Sequence, residues 1–204
     1  MSGETNSAAL ATGDPVEPDA PKNERSTRGK RGSKARRRLW AERIVTVVVF
    51  LAFFLAVRAW QTRDTVHGRA PTLIGMTVDG QPIALEEMLS EGPVLVHFWA
   101  SWCGVCKAME HNIDALAGSG RVLTVATQSG DELALETWLE ERGELRGGKA
   151  PYPILLDPTG DAAVQWGVSA FPTSFIVNRD GTIAAADVGY MTELGLRFRL
   201  WLAD

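Results

Sequence analysis

The chain has 204 residues, of which 45% are hydrophobic, and a formal net charge of −4. That is the size of one domain with appendages, and two cysteines in the whole sequence exclude a disulfide-stapled miniature fold and a four-cysteine zinc site. From Ile44 onward there are 11 Lys or Arg against 19 Asp or Glu, so this acidic body has no electrostatic footprint for nucleic acid.

Residues 1–38 carry almost no large apolar side chain, Leu10 and Val16 excepted. Such a stretch cannot bury enough surface to offset the entropy of ordering it, and disorder is expected. Its second half, Lys22 to Arg38, holds nine Lys or Arg and a single acid, Glu24. The composition then inverts: Ile44 to Val57, IVTVVVFLAFFLAV, has no charge. Extended to residues 39–60 it reaches the roughly 20 residues a transmembrane helix needs. Arg43 and Arg58 can stretch their heads toward water, and Trp40 and Trp60 stand where interfacial aromatics are expected. An uncleaved anchor is favoured over a cleaved signal peptide, because the leader is long and Arg58 falls where cleavage wants small neutral residues. The basic flank keeps residues 1–38 cytoplasmic and sends the rest across.

Residues 61–71 read as a linker and 72–204 as one folded domain. Thr72 to Val78 and Gln81 to Ile83 form two short strands around a turn at Asp79-Gly80, and Leu85 to Leu89 a helical turn. Pro93 to Trp99, PVLVHFW, is a near-continuous apolar run, as expected of a central strand covered on both faces. Gly104 to Leu116 places Met109, Ile113 and Leu116 at helical spacing. Arg121 to Thr127 is another buried strand, and Asp131 to Arg142 a helix with Leu133, Leu135, Trp138 and Leu139 as its apolar set. A loop, a strand at Tyr152 to Leu156 and a short helix at Asp161 to Trp166 follow. Thr173 to Val177 and Thr182 to Val188 flank Asn178-Arg179-Asp180-Gly181, a hairpin signal, and a helix from Thr192 to about Leu202 ends the chain. Strands alternating with helices, then a hairpin and a helix, indicate an α/β sheet with helices on its faces.

Cys103 and Cys106 close the strand-to-helix junction in HFWASWCGVC. A thiol in the first turn of a helix meets unpaired backbone N–H groups that stabilise its thiolate. Three residues later the second sulfur is within reach, which suits exchange: Cys103 attacks a disulfide and Cys106 resolves the mixed disulfide. The competing reading is a Cu(I)-binding or carrier module, with both thiolates as ligands and Met109 nearby. A structural staple is poorly served by so short a loop.

PVLVHFWASWCGVCK, with DGQPIALEEML before it and VSAFPTSFIVNRDGTI after it, resembles the thioredoxin superfamily. Within it, the chain is similar to the membrane-anchored, extracytoplasmic thiol-disulfide oxidoreductases of the TlpA/ResA/DsbE group, including ScsD-like members. The likeness spans roughly residues 71–203. It implies a thioredoxin-like α/β fold, a central mixed sheet flanked by helices and preceded by one transmembrane helix. It also implies that Pro172 is a cis-proline facing the cysteines, and that Phe171 and Trp102 line the substrate groove. The working group would be the redox-active Cys103–Cys106 disulfide, with no metal or other cofactor. Partners would be client proteins with thiols or disulfides, apocytochrome c or copper-damaged proteins among them, and a membrane thiol reductase of DsbD type as electron donor. The setting would be the cell inner membrane, single-pass, with the catalytic domain periplasmic. Net reduction is the expected direction.

Three residues depart from the relatives. Val105 stands where a proline is frequent between the cysteines, and Met109 where a glutamate is frequent, with Glu110 one step later. His97 occupies the place of the buried aspartate of thioredoxins. It alternates with Val96 and Phe98 and is expected beneath the cysteines, either as a proton acceptor for Cys106 or as a neutral core histidine bonded to backbone.

Overall fold

A computed structural model describes residues 31–61, 63, 65–145 and 147–203. The first element, helix α1, runs Arg31–Gln61. Its Trp40–Val57 segment is long and apolar enough to cross a membrane, and the side chains there are exposed. The expected anchor, residues 39–60, lies inside this helix. The expectation of disorder up to residue 38 is corrected for 31–38: once the apolar run has nucleated a helix, adding one more residue at its end is cheap, and Arg, Lys and Ala propagate it well. Residues 1–30 of that expected tail lie outside the described residues, as do Thr62 and Asp64 of the linker.

The folded domain opens with an antiparallel pair, β1 (Ile74–Met76) and β2 (Pro82–Ala84). Gly80 turns the chain between them at φ +68°, a conformation that costs glycine little. A short helix, α2 (Leu85–Leu89), leads into β3 (Val94–Trp99). Then follow α3 (Gly104–Asp114), β4 (Val122–Thr127), α4 (Glu132–Glu141), β5 (Ile154–Asp157) and α5 (Asp161–Gln165). The chain ends in β6 (Thr173–Val177), β7 (Ile183–Val188) and α6 (Glu193–Leu202). The five-stranded sheet has the order β5-β4-β3-β6-β7. β3, β4 and β5 are parallel, whereas β6 and β7 join antiparallel. Helical crossovers give the parallel half, and the tight turn at Asn178–Gly181 sets β7 antiparallel to β6. This is the thioredoxin-like fold, with β3 at the centre of a mixed sheet.

The centre explains the apolar run. Every residue from Val94 to Phe98 is buried, and alternate side chains serve opposite faces of the sheet. Val94, Val96 and Phe98 enter one core with Leu123, Val125, Trp166 and Phe175. Leu95 enters the other with Met109, Ile113, Leu196 and Leu200. His97 lies on this second side, buried in the sheet. In α4 the expected apolar set is corrected at one position. Leu135 and Leu139 are buried, but Leu133 is 71% exposed. At about 100° per residue it stands on the opposite side of the helix from Leu135.

Phe98 packs edge-on against Phe175 and at a tilt to Trp166, at centroid distances of 5.8 and 5.5 Å. Truncating it removes one of three mutually packed rings, since Trp166 and Phe175 also meet at 5.0 Å. Phe98→Ala is expected to cost about 3–5 kcal/mol, read as a lowered midpoint in urea unfolding at unchanged slope.

Candidate active site

β3 ends at Trp99 and α3 starts at Gly104, so Ala100–Cys103 turn the chain from strand into helix. Cys103 is the N-cap of α3, with extended backbone angles, and its sulfur accepts the Cys106 N–H at 3.1 Å. Sequence predicts this placement, and its physical content is that a helix's otherwise unpaired amide points at the first sulfur. Cys103 and Cys106 form a disulfide with Cα atoms 5.3 Å apart. Both residues are nearly buried against Ala100, Trp99 and Phe171. A Cβ added at Gly104 meets nothing within 4 Å, and Val105 is half exposed. A client backbone can therefore approach the loop closely.

The Phe171–Pro172 bond is cis. Phe171 stacks edge-on against Trp102 with centroids 5.7 Å apart, and Trp102 is 61% exposed. The structure thus packs Phe171 against the cysteines, with Trp102 stacked on it and the cis Pro172 next to it in the chain.

Two residues that sequence reasoning missed hold this arrangement in place. Gln128, just after β4, adopts φ +49°, an uncommon region for a residue with a side chain. Its carbonyl accepts the Trp102 Nε1–H at 3.1 Å. Ser129 accepts the Ser101 N–H at 2.9 Å and donates to the Thr127 carbonyl at 3.1 Å. The Gly130 that follows was the available signal, since Gln-Ser-Gly after a buried strand marks a tight turn.

Behind the disulfide lies a cavity of about 30 Å³ lined by Cys106, His97, Glu110, Glu144, Tyr152 and Trp138, among others, enough room for water. His97 is buried, and its Nδ1 lies 2.9 Å from the Ser174 Oγ on β6. Burial pushes its pKa down from 6.5 to about 4, so it is neutral at neutral pH. The acids come from two directions. Glu110 is four residues after Cys106 on α3 and therefore shares its face, while Met109 turns into the core. Glu144 follows α4. Arg142 bonds both carboxylates, Glu110 at 2.7 Å and Glu144 through its Nε. Burial, then the hydrogen bond to Glu110, raises Glu144 to about 7, although Arg142 opposes the shift. Burial and the neighbouring Asp114 raise Tyr152, which stays a neutral phenol. Arg142 and Lys107 both lie over the Trp138 ring, at 4.6 and 5.8 Å. Glu144 is remote in sequence from the cysteines, and no local pattern points to it. Among the described residues no group of three or more His, Cys, Asp or Glu is arranged to hold a metal ion.

The fold and the cysteine pair at the N-cap of α3 define a thiol-disulfide oxidoreductase of the thioredoxin superfamily. The chain belongs to the Redoxin family, whose model matches residues 65–196. It is 28% identical over 159 residues to a thioredoxin-like protein of Haemophilus influenzae, covering 76% of this chain and 91% of that one. It is 27% identical over 164 residues to the thiol:disulfide interchange protein DsbE of Xylella fastidiosa, covering 76% and 80%. Among solved structures, the exposed lipoprotein thioredoxin Etrx1 of Streptococcus pneumoniae matches with a TM-score of 0.57 at 26% identity. That match covers 65% of this chain and 99% of the other. The protein is thus a protein-disulfide oxidoreductase of DsbE-like type, and its partners are proteins with thiols or disulfides.

The His97 shift sets a pH dependence of stability. The folded state holds the imidazole neutral down to about pH 4, whereas the unfolded chain takes up a proton near 6.5. The unfolded state binds more protons between these values, so stability falls as pH drops through that window. The full shift corresponds to about 3 kcal/mol. Urea unfolding of the oxidised protein at pH 7 and pH 4 should show a larger loss for the wild type than for His97→Asn.

Proposed function

We propose that this protein is a membrane-anchored, extracytoplasmic reductase of client disulfides. The observation that carries the reading is the disulfide at the N-cap of α3, with the Cys106 amide aimed at the Cys103 sulfur. Helix α1 serves as an uncleaved single-pass anchor of the inner membrane. The basic stretch before it stays cytoplasmic and the folded domain lies in the periplasm.

In the reduced protein the Cys103 thiolate attacks one sulfur of a client disulfide. A Cys103–client bond forms, the client S–S bond breaks, and one client thiolate leaves. Cys106 then loses its proton, attacks the Cys103 sulfur and expels the second client thiolate. The client has gained two electrons and, once its thiolates are protonated, two protons; the domain keeps the Cys103–Cys106 disulfide. A membrane dithiol reductase of DsbD type returns the two electrons. No other cofactor takes part. Trp102, Phe171 and Pro172 form the client groove. Val105 and Met109 replace the proline and glutamate frequent in the relatives, which favours general or copper-damaged clients over apocytochrome c.

The Cys106 proton passes to the acid pair behind it. His97, held near 4, is a weak acceptor for a thiol of pKa about 8.5. Glu144, near 7, is closer in basicity and faces the same water-sized cavity as Cys106. His97 is instead a neutral positioning group for Ser174 and β6.

The Cu(I)-carrier reading remains the rival. It expects metal bound by both reduced cysteines and no turnover.

Cys106→Ala is expected to accumulate mixed disulfides between Cys103 and client proteins in membranes, and Cys103→Ser to abolish exchange. Absence of adducts together with stoichiometric Cu(I) uptake by the reduced wild type would replace the enzyme reading with the carrier. In cells the pair of a reductase should be mostly dithiol by alkylation trapping; a fully oxidised pair would reverse the assigned direction. For the proton route, resolution of a preformed Cys103 mixed disulfide should slow as pH falls below about 7. Glu144→Gln should remove that limb while His97→Asn keeps it, and the opposite pattern would return the proton to His97.

A further inference from the structure

Helix α6, ELGLRFRLWL, is apolar on two sides. Leu196 and Leu200 are buried in the core shared with α3. Leu194, Phe198, Trp201 and Leu202 are 79, 55, 76 and 61% exposed. Their spacing of four, three and one places them on a single outward stripe, with the Phe198 and Trp201 rings 6.0 Å apart. A contiguous aromatic and aliphatic stripe of this kind marks an interaction surface.

Charge indicates what covers it. Next to the stripe opens a cleft of about 340 Å³ lined by Arg121, Arg179, Arg197 and Trp201. Arg197 pairs with Glu193 and donates to the Ala115 carbonyl, both at 2.7 Å. Arg179 donates to the Glu91 carbonyl at 3.2 Å, a neutral acceptor. Among the described residues the cleft lining thus holds three arginines and no acid, with Glu193 paired to one of them, on a body that is otherwise acidic. Screening limits charge effects to about 10 Å, so an anion arriving here meets the arginines rather than the distant acids. Guanidinium groups match phosphate oxygens in geometry. Trp, Phe and Leu beside Arg are the composition of helices that lie in a lipid headgroup layer. A second copy of this chain is the poorer occupant, because a twofold contact about α6 would set arginine near arginine.

We propose that the α6 stripe and Arg121, Arg179 and Arg197 dock the domain on an anionic bilayer surface. Leu194, Phe198, Trp201 and Leu202 enter the boundary between headgroups and acyl chains, and the arginines meet lipid phosphates. The cleft lies at the end of the sheet where β3 begins, just after Pro93. The cysteines follow the other end of that strand, about 20 Å away at 3.3 Å per residue. Docking by this end leaves the disulfide facing clients. The proposal extends the anchored reading, since a tethered domain meets the surface at high effective concentration.

The test is amide hydrogen exchange of residues 193–202 in the full chain, reconstituted in nanodiscs of phosphatidylcholine with or without about one-third phosphatidylglycerol. Exchange should slow more than about tenfold in the anionic discs, from roughly 1 kcal/mol per arginine. Arg121→Ser/Arg179→Ser/Arg197→Ser should abolish the slowing, as should high salt, with exchange activity on a soluble client unchanged. Should the triple variant unfold, Leu194→Ser/Trp201→Ser at exposed positions serves in its place. Equal exchange in both discs overturns the proposal. So does protection that rises with protein concentration in detergent, which would show self-association. If the chain fails to enter discs at all, the anchor reading fails by itself. Co-sedimentation with preformed anionic vesicles then decides the docking proposal: retention supports it and none overturns it.

Discussion

Everything chemical in this protein depends on one backbone junction. β3 must stop at Trp99 and α3 must begin at Gly104, so that the Cys106 amide in the first turn of the helix lies beside the Cys103 sulfur. The junction is held from three sides. β3 is buried between two sheet neighbours, α3 is pinned to the core by Met109 and Ile113, and the Gln128–Ser129 turn ties down Ser101 and Trp102. Because each tie is a packing contact or a bond to backbone, the loop between strand and helix has little freedom. A thiolate formed there meets donors that are already oriented, without having to order them.

The surroundings of the two sulfurs differ in kind. Cys103 faces the loop surface with Gly104, Trp102 and Phe171 nearby, an apolar and open side suited to a peptide. Cys106 faces inward to the cavity, where His97, Glu110, Glu144 and Tyr152 are gathered. The same burial acts oppositely on the two titrating groups there, disfavouring the charged form of each. It keeps the imidazole neutral and brings the carboxyl toward neutral pH. An open, apolar face thus lies on one side of the pair, and a small cavity that gathers titratable side chains lies on the other.

The substitutions relative to the relatives are less disruptive in space than along the chain. Met109 occupies a core position on α3, and a charge there would be buried among Leu95, Ile113 and Leu196. Glu110 is one turn beyond Cys106, so a carboxylate still reaches the cavity. Arg142 gathers it together with Glu144, and the acidity of the site becomes a property of two elements.

The sequence determined the order of elements, the strand-to-helix cysteine pair, the apolar helix around residues 44–57 and the turn at Asn178–Gly181. These are local: periodicities of two and 3.6, turn residues and a spacing of three need only neighbouring residues to act. The same local rules misjudged Leu133, because apolarity says nothing of which side of a helix meets the core. Residues 31–38 were read from composition alone, which misses helix propagated from an adjacent segment. The placing of Glu144 and Gln128 beside residues 103–106, and the low pKa of His97, were decided only by the tertiary structure. They depend on which strands become neighbours and how much water is left between them. Proximity between residues 38 positions apart, as Cys106 and Glu144 are, is set by the packing of the whole sheet.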